Sequence, residues 1–395
     1  MSQLQSTVEQ SAAILRTVPD QPAPLRVAVA GVGFIGRVHL AAARRAGATV
    51  VGLAASTPER GVEAAAELAV ATAAATAEDL LDLDLDVLHI ATPNHLHVDL
   101  AVRALQRGIH VVVEKPVALD LDGARSLLAV AKETGLVAAV PFVYRFHPVV
   151  RHARAMVEAG EIGDVRLVHG HYLQDWLMSA DDTNWRVSAA AGGRSRAFAD
   201  IGSHWCDLVQ FVTGDPIRRL LARTATVVAD RPAEARESFV TASSDGPRQR
   251  VDTEDAVTVL FETDNGTMGS LVVSQVSPGR KNRLWFEIDG STQSVVFDQE
   301  HAETLWVGGR EGARVVPRDP GLLAPSAAKY AWLPAGHAQG YGDCFDAFVA
   351  DAYRAVQGDA PEGLPTIVDG FCGVALTRAV LTSAADGGWI EVETP

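Results

Sequence analysis

The chain has 395 residues, 48% of them apolar, which is enough for a large core and too many for wholesale disorder. Lys plus Arg number 34 and Asp plus Glu 49, a net charge of −15. That sign argues against nucleic acid and anionic membrane as main partners, because both need a basic face. It leaves room for an anionic cofactor, since backbone N–H groups at a helix start hold phosphate without net charge.

Length predicts two domains. The three cysteines, Cys206, Cys344 and Cys372, are odd in number and far apart, so neither a disulfide framework nor a cysteine-built metal site is expected. No apolar run reaches the ~18 residues of a membrane span. The first residues lack the basic and apolar regions of a signal peptide. A reducing, cytoplasmic setting follows.

Residues 1–24 are polar and end in Pro19-Asp20-Gln21-Pro22-Ala23-Pro24, which predicts a flexible extension with a short helix around Val8–Leu15. Leu25–Ala30 is an apolar run suited to a buried parallel strand. A helix is predicted over Phe34–Ala46, a strand over Thr49–Ala54, and a helix over Pro58–Leu68 with proline at its first position. Asp82–Asp86 alternates acidic and apolar residues and is read as a solvated lead-in to a strand at Asp86–Ala91. A helix at His95–Arg107 ends at Gly108. Then come a strand at His110–Val113, a helix at Leu121–Glu133 and a strand at Leu136–Val140. This alternation predicts a doubly wound parallel sheet, a Rossmann domain over residues 25–143.

From residue 144 to 395 the texture differs. Helices are predicted at Pro148–Ala159, Arg196–Thr213, Tyr341–Val356 and Asp369–Ala384. Strands are predicted within Gly163–Trp176 and at Ala256–Glu262, Met268–Val276, Leu284–Asp289, Gln293–Phe297 and Thr304–Val307. Thr263-Asp264-Asn265-Gly266 is a hairpin turn signal. The expected fold is α/β, with an N-terminal Rossmann sheet and a C-terminal α+β domain built on a large, mostly antiparallel, open-faced sheet.

Gly31-Val32-Gly33-Phe34-Ile35-Gly36 is G-x-G-x-x-G between a predicted strand and helix. In that context each glycine has a purpose: a tight turn, close approach to a pyrophosphate, and close helix–strand packing. A dinucleotide is the expected ligand. The end of the second strand, where an acid usually meets the ribose of NAD, reads Ala54-Ala55-Ser56-Thr57-Pro58-Glu59-Arg60. With no carboxylate at the tip, Ser56, Thr57 and Arg60 suit a 2′-phosphate, which favours NADP slightly over NAD.

This fingerprint, with Ala91-Thr92-Pro93-Asn94-His95-Leu96-His97, Val113-Glu114-Lys115-Pro116 and Ala199-Asp200-Ile201-Gly202-Ser203-His204, resembles the glucose–fructose oxidoreductase/inositol dehydrogenase (Gfo/Idh/MocA) family from about Arg26 onward. Within it, Tyr172-Leu173-Gln174-Asp175-Trp176, Asn184-Trp185-Arg186 and Gly279-Arg280-Lys281-Asn282 resemble the levoglucosan dehydrogenase-like members. The resemblance implies an NAD(P)-dependent oxidoreductase acting on the secondary hydroxyl of a sugar, anhydrosugar, inositol or glycoside. It implies Lys115, Asp200 and His204 as catalytic residues, and a homodimer or homotetramer joined through the open sheet face. Thr92, Pro93, Asn94, His97 and Glu114 match positions that line the nicotinamide and its ribose. For His97, packing into the helix start is an equal alternative.

The chemistry agrees with these residue types. Oxidising an alcohol needs a hydride acceptor and a base within hydrogen-bond reach of the hydroxyl. Asp200 and His204 stand four apart on a predicted helix and share a face, with Asp207 one turn on. Asp-x-x-x-His is also a metal-ligand spacing, but a third ligand is missing and no metal is expected. Lys115 follows a buried strand at the carboxyl edge of the sheet, where α/β ligands bind. Either His204 or Lys115 suits the role of base. Tyr144, Gln174, Asp175, Trp176, Trp185 and Arg186 are the substrate candidates, since aromatic faces suit sugar C–H faces and polar groups suit hydroxyls. For the two tryptophans, core packing is the competing reading. Other functions on the same frame are an NAD-dependent glycosidase working through a keto-sugar and a non-catalytic nucleotide sensor. Retention of all three catalytic residues argues against the sensor.

Overall fold

The computed structural model describes residues 23–233 and 247–395, so the expected extension at the N-terminus lies almost wholly outside the described residues. Six short strands form the first sheet: β1 (Arg26–Ala30), β2 (Thr49–Ala54), β3 (Thr72–Ala73), β4 (Val87–Ile90), β5 (His110–Val113) and β6 (Ala138–Ala139). All pair in parallel in the order β3-β2-β1-β4-β5-β6. The order reverses between β1 and β4, which opens a crevice beyond their carboxyl ends. Helices α1 (Phe34–Arg45), α2 (Pro58–Glu67), α3 (His97–Gln106) and α4 (Leu121–Thr134) supply the crossovers. The Asp82–Asp86 stretch is solvated as expected, with Asp82 bonded to Arg107 and Asp84 to Arg26.

The second sheet has nine strands in the order β16-β15-β14-β13-β7-β12-β11-β8-β17. They are β7 (Val165–Leu173), β8 (Ile217–Ala225), β11 (Ala256–Thr263), β12 (Met268–Ser274), β13 (Arg283–Gly290), β14 (Gln293–Asp298), β15 (Thr304–Gly309), β16 (Gly312–Pro317) and β17 (Ile390–Glu391). A small ribbon, β9 (Asp230–Pro232) with β10 (Arg248–Arg250), stands apart. Every pair in the large sheet is antiparallel except β7 with β12. Alternation sets the two faces. Val257, Val259 and Phe261 point inward, while Leu260 between them is 47% exposed. The inner face packs on α5 (Pro148–Glu158) and α6 (Ser203–Thr213) through Met156, Trp205, Leu208 and Val212.

The patterning did not reveal β8 or β16. β8 carries three arginines, and Arg218 and Arg219 are accommodated because both pair with Glu262 on the solvent side of β11. β16 is an exposed edge strand ending in Pro317, where a missing N–H costs no ladder bond.

Two closing helices, α7 (Tyr341–Val356) and α8 (Ile367–Asp386), return to the first sheet. Phe345, Phe348, Val349 and Ala352 of α7 share a core with Val27, Val29 and Leu40. Helix α8 puts Ile367, Phe371 and Val374 into the Rossmann core, and Leu376, Ala379 and Val380 into the core of the large sheet. It is long and apolar enough to cross a membrane by length and composition, yet half of that stretch is buried between the two sheets.

Burial holds the pKa of His89 and His147 below the ordinary imidazole value, that of His147 at about 4. They therefore fold neutral, while the unfolded chain takes up protons below about pH 6.5. The unfolded state then binds more protons, and stability falls as pH drops through that value. Denaturation midpoints are expected to fall between about pH 7 and 5, a window above the carboxylate range. A flat profile would contradict neutral burial.

Candidate functional site

The glycine-rich turn fits the pyrophosphate of a dinucleotide. Gly31 has a φ of +92°, and a Cβ there would lie 2.4 Å from the Ala91 carbonyl oxygen. A Cβ on Gly36 would lie 1.9 Å from the Gly31 carbonyl, so α1 seats against the turn only with glycine. A Cβ on Gly33 would meet nothing within 4 Å, because that position faces the open crevice. Gly33 caps α1 without a side-chain bond, and the first turn, from Phe34 and Ile35 to Gly36, holds no acid. The backbone N–H groups that open the helix and its dipole are thus suited to an anion.

At the end of β2, Thr57 is the N-cap of α2, its hydroxyl accepting from the Arg60 amide at 3.3 Å. Arg60 Nη1 reaches Ser56 Oγ at 3.4 Å. Ser56 and Arg60 therefore stand together as a polar pair, while Thr57 is committed to the helix.

Between β4 and β5, the Thr92 hydroxyl is buried without a hydrogen-bond partner among the described residues. Pro93 follows it, and Asn94 Nδ2 donates to the Gly192 carbonyl at 3.0 Å. Both ring nitrogens of His97 lie 2.9 Å from carbonyl oxygens, those of Pro116 and Thr92. His97 is buried and braces the two strand-end loops against each other.

Lys115 emerges from β5 with its Nζ 2.7 Å from the carbonyl oxygen and 3.1 Å from Oδ1 of Asp200. Asp200 also accepts from Gln275 Nε2 at 2.9 Å, and Arg186 Nε stands 3.6 Å away. Burial works against the Asp200 charge, but Lys115 and Arg186 hold its pKa well below the carboxylate range. His204 is buried, edge-on to Tyr144 at 5.1 Å and Phe142 at 5.6 Å. Desolvation, then the Lys115 charge, push its pKa far down, so the imidazole is neutral. Its Nδ1 is buried without a hydrogen-bond partner among the described residues, which leaves Nε2 as the nitrogen able to meet a ligand.

The helix carrying this pair differs from expectation. Residues Phe198–Gly202 form a wider π-type turn, and regular α-helix begins only at Ser203. Glu254 is the cause that sequence does not reveal. Its carboxylate accepts from Ser195 Oγ at 2.7 Å and from the Arg196 and Phe198 amides at 3.0 Å, gathering the helix start around one group. Asp207, expected near the catalytic face, is instead buried against Arg145, which also pairs with Asp369.

Tyr144 lies within a closed ring of hydrogen bonds. Tyr144 and Tyr172 hydroxyls are 2.7 Å apart, Tyr172 donates to Asn282 Oδ1 at 2.7 Å, and Asn282 Nδ2 donates back to Tyr144 at 3.0 Å. Gln174 Nε2 donates to the same Asn282 oxygen at 2.9 Å, and Trp176 Nε1 donates to Gln174 Oε1 at 2.9 Å. Asp175 is engaged by Lys281 Nζ at 2.7 Å and the Gly279 amide. The Arg186 guanidinium lies 4.4 Å over the Trp185 ring and leads toward Asp200. Lys115, Asp200, His204, Tyr144 and Arg186 thus converge, while Asp175 and Trp176 are held by neighbours of their own. Gln275 was missed, its only sequence signal being a polar group just past a strand end; Tyr172 and Asn282 lie in the segments Tyr172–Trp176 and Gly279–Asn282 singled out above, but were not named as site residues. His169, given no role, meets Glu287 and Asp289 in the large sheet.

Residues 25–142 match the oxidoreductase family with an NAD-binding Rossmann fold, and residues 150–296 match the GFO/IDH/MocA C-terminal domain. The chain belongs to the GFO/IDH/MocA oxidoreductase family. It is 30% identical to levoglucosan dehydrogenase of Pseudarthrobacter phenanthrenivorans, over 93% of this chain and 98% of that protein. A crystal structure of an oxidoreductase domain protein from Kribbella flavida superposes with a TM-score of 0.84 and 32% identity, over 94% of this chain and 99% of that one. Levoglucosan dehydrogenase in complex with NADH and levoglucosan gives 0.85 and 28%, over 94% of this chain and all of the other.

The turn geometry separates two kinds of glycine. Gly33→Ala is expected to leave thermal stability unchanged and weaken dinucleotide binding about tenfold or more, the scale of a displaced charge-assisted bond. Gly36→Ala is expected to lower the melting temperature itself. Fluorescence titration and a thermal melt of both variants check this, and equal behaviour of the two would contradict the placement.

Proposed function

We propose that this enzyme, an NAD(P)-dependent sugar dehydrogenase, oxidises a secondary hydroxyl of an anhydrosugar, pyranose, inositol or glycoside with Lys115, Asp200 and His204 handling the proton. The observation that carries the reading is their convergence at the carboxyl end of β5, beside the glycine-rich turn. Gly31, Gly33, Phe34, Ile35 and Gly36 would hold the pyrophosphate, and the Thr92–Asn94 turn and Glu114 would border the nicotinamide. The cofactor, when bound, supplies the hydride acceptor.

His204, neutral at its buried position, takes the hydroxyl proton at Nε2. Lys115 spends two donor directions on Asp200 and directs the third at the substrate oxygen, stabilising the charge that develops there. Asp200, fixed in turn by Gln275, orients Lys115. The hydroxyl ring of Tyr144, Tyr172 and Asn282, with Gln174, Trp185 and Arg186 around it, is chemistry suited to a polyhydroxylated substrate. The named substrate of the levoglucosan dehydrogenase relatives supports an anhydrosugar as the first compound to try.

The missing acid after β2 and the Ser56–Arg60 pair support NADP over NAD. The outer face of the large sheet exposes Leu260, Met268 and Val272, which supports a homodimer or homotetramer joined through it. A cytoplasmic location fits the reduced cysteines.

Absorbance of reduced nicotinamide, followed with NAD and NADP against levoglucosan, pyranoses, inositols and polyols, is expected to rise with a subset of substrates. Silence across the panel with cofactor bound would favour a redox-neutral glycosidase instead. Lys115→Ala and His204→Ala are each expected to lower turnover at least ~100-fold. Near-normal turnover in both would overturn the assignment. Arg60→Ala is expected to raise the KM for NADP about tenfold and leave that for NAD unchanged, as loss of a charged contact to a phosphate requires. Equal effects on both cofactors would remove the case for NADP.

A further inference from the structure

Two histidines stand in the interior of the Rossmann domain, outside the reaction just described. His39 projects from α1 and His89 from β4, and both are 0% exposed. Histidine in such a place needs partners, because an unpaired buried polar group is costly. The partners form one continuous line. Tyr353 of α7 places its hydroxyl 2.7 Å from His89 Nε2. His89 Nδ1 is 2.9 Å from His39 Nδ1. His39 Nε2 is 3.3 Å from Glu114 Oε1. The other oxygen, Glu114 Oε2, accepts from the backbone N–H of Lys115 at 3.1 Å.

One assignment of hydrogens satisfies every member. Tyr353 donates to His89 Nε2, His89 donates from Nδ1 to His39 Nδ1, and His39 donates from Nε2 to Glu114. In this assignment the line runs one way and ends on Glu114 as a carboxylate acceptor. Burial raises the Tyr353 pKa, which keeps its hydroxyl a donor, and lowers that of His89, which keeps it neutral. Burial opposes the Glu114 charge, yet the His39 bond and the neighbouring Lys115 charge leave its pKa below the ordinary value. Apolar residues would fill this space without the desolvation cost. What the polar line adds is at its end, where the carboxylate grips the Lys115 amide.

We propose that Tyr353, His89 and His39 are positioning residues: their hydrogen-bond line holds the Glu114 carboxylate on the Lys115 amide and thereby sets how Lys115 Nζ is presented to Asp200. The proposal rests on the reading of Lys115 as the group that meets the substrate. Tyr353 belongs to the C-terminal helix α7, so the line also ties that helix to the strand end bearing Lys115.

The test reads Lys115 directly and needs no substrate. The chain has only four lysines, Lys115, Lys132, Lys281 and Lys329. The full-length protein is labelled with limiting acetic anhydride, and acetylation at each lysine is followed by peptide mass spectrometry. Tyr353→Phe, which keeps the ring, and His39→Leu are each expected to raise the Lys115 rate about threefold or more, the scale of one lost hydrogen bond, with the other three lysines unchanged. His39→Gln, which retains a donor toward Glu114, is expected to stay near the parent rate. A Lys115 rate that is unchanged or slower in Tyr353→Phe and His39→Leu, or that rises only in step with the other lysines, overturns the proposal. Tyr353→Phe alone decides if His39→Leu does not fold. Normal turnover in Lys115→Ala would overturn the proposed function while leaving this positioning result standing.

Discussion

The contact on which the site depends is that between Lys115 and Asp200. Lys115 hangs from the carboxyl end of β5, and Asp200 from the turn that opens α6, so the pair bridges the two sheets. Both side chains are largely removed from water. A buried ion pair is a poor source of net stability, because desolvation of two charges offsets their attraction. Its value here is geometric. The ammonium has two fixed acceptors on one residue and one donor direction left over.

Each partner is held by a second layer of buried polar groups. On the Lys115 side stand Glu114, His39 and His89. On the Asp200 side stand Gln275 and Glu254, with Asp255 next to them. Asp255 is fully buried and accepts from Arg231 at 3.0 Å, from Arg196, and from the Val227 and Val228 amides. Burying these groups costs free energy, and Gln275 Oε1, Arg196 Nε and Nη1 and Arg231 Nε have no hydrogen-bond partner among the described residues, so the bonds that are made fix side-chain position rather than add stability. The fold thus places its most demanding polar burial where side-chain position matters most. Helix α8 completes this frame by sharing its apolar residues between both cores, which limits how far the two sheets can slide apart.

How much could be read beforehand depended on the range of the interaction. The Rossmann half was legible almost strand by strand, because Val27–Ala30, Val87–Ile90 and Val111–Val113 are apolar runs separated by helices with local caps. Lys115, Asp200 and His204 were picked out through the family resemblance, and the structure brings Lys115 onto Asp200. The strand Ile217–Ala225 was not, since its arginines are tolerated only by Glu262 on a neighbouring strand. The turn at Phe198–Gly202 was not, since Glu254, more than fifty residues downstream, gathers its amides. Asp207 sat on the correct helix, but its partner Arg145 comes from another part of the chain.

By itself, the sequence determined the parallel sheet, the glycine turn and the kind of chemistry, because strand hydrophobicity, φ-positive glycine and motif spacing act within a few residues. Only the tertiary structure decided which charges face each other. It directed Asp207 to Arg145, His97 to two carbonyls, and Tyr353 through two histidines to Glu114. The reason is that a buried polar group must find a partner wherever the packed chain brings one, and sequence distance carries no information about that choice.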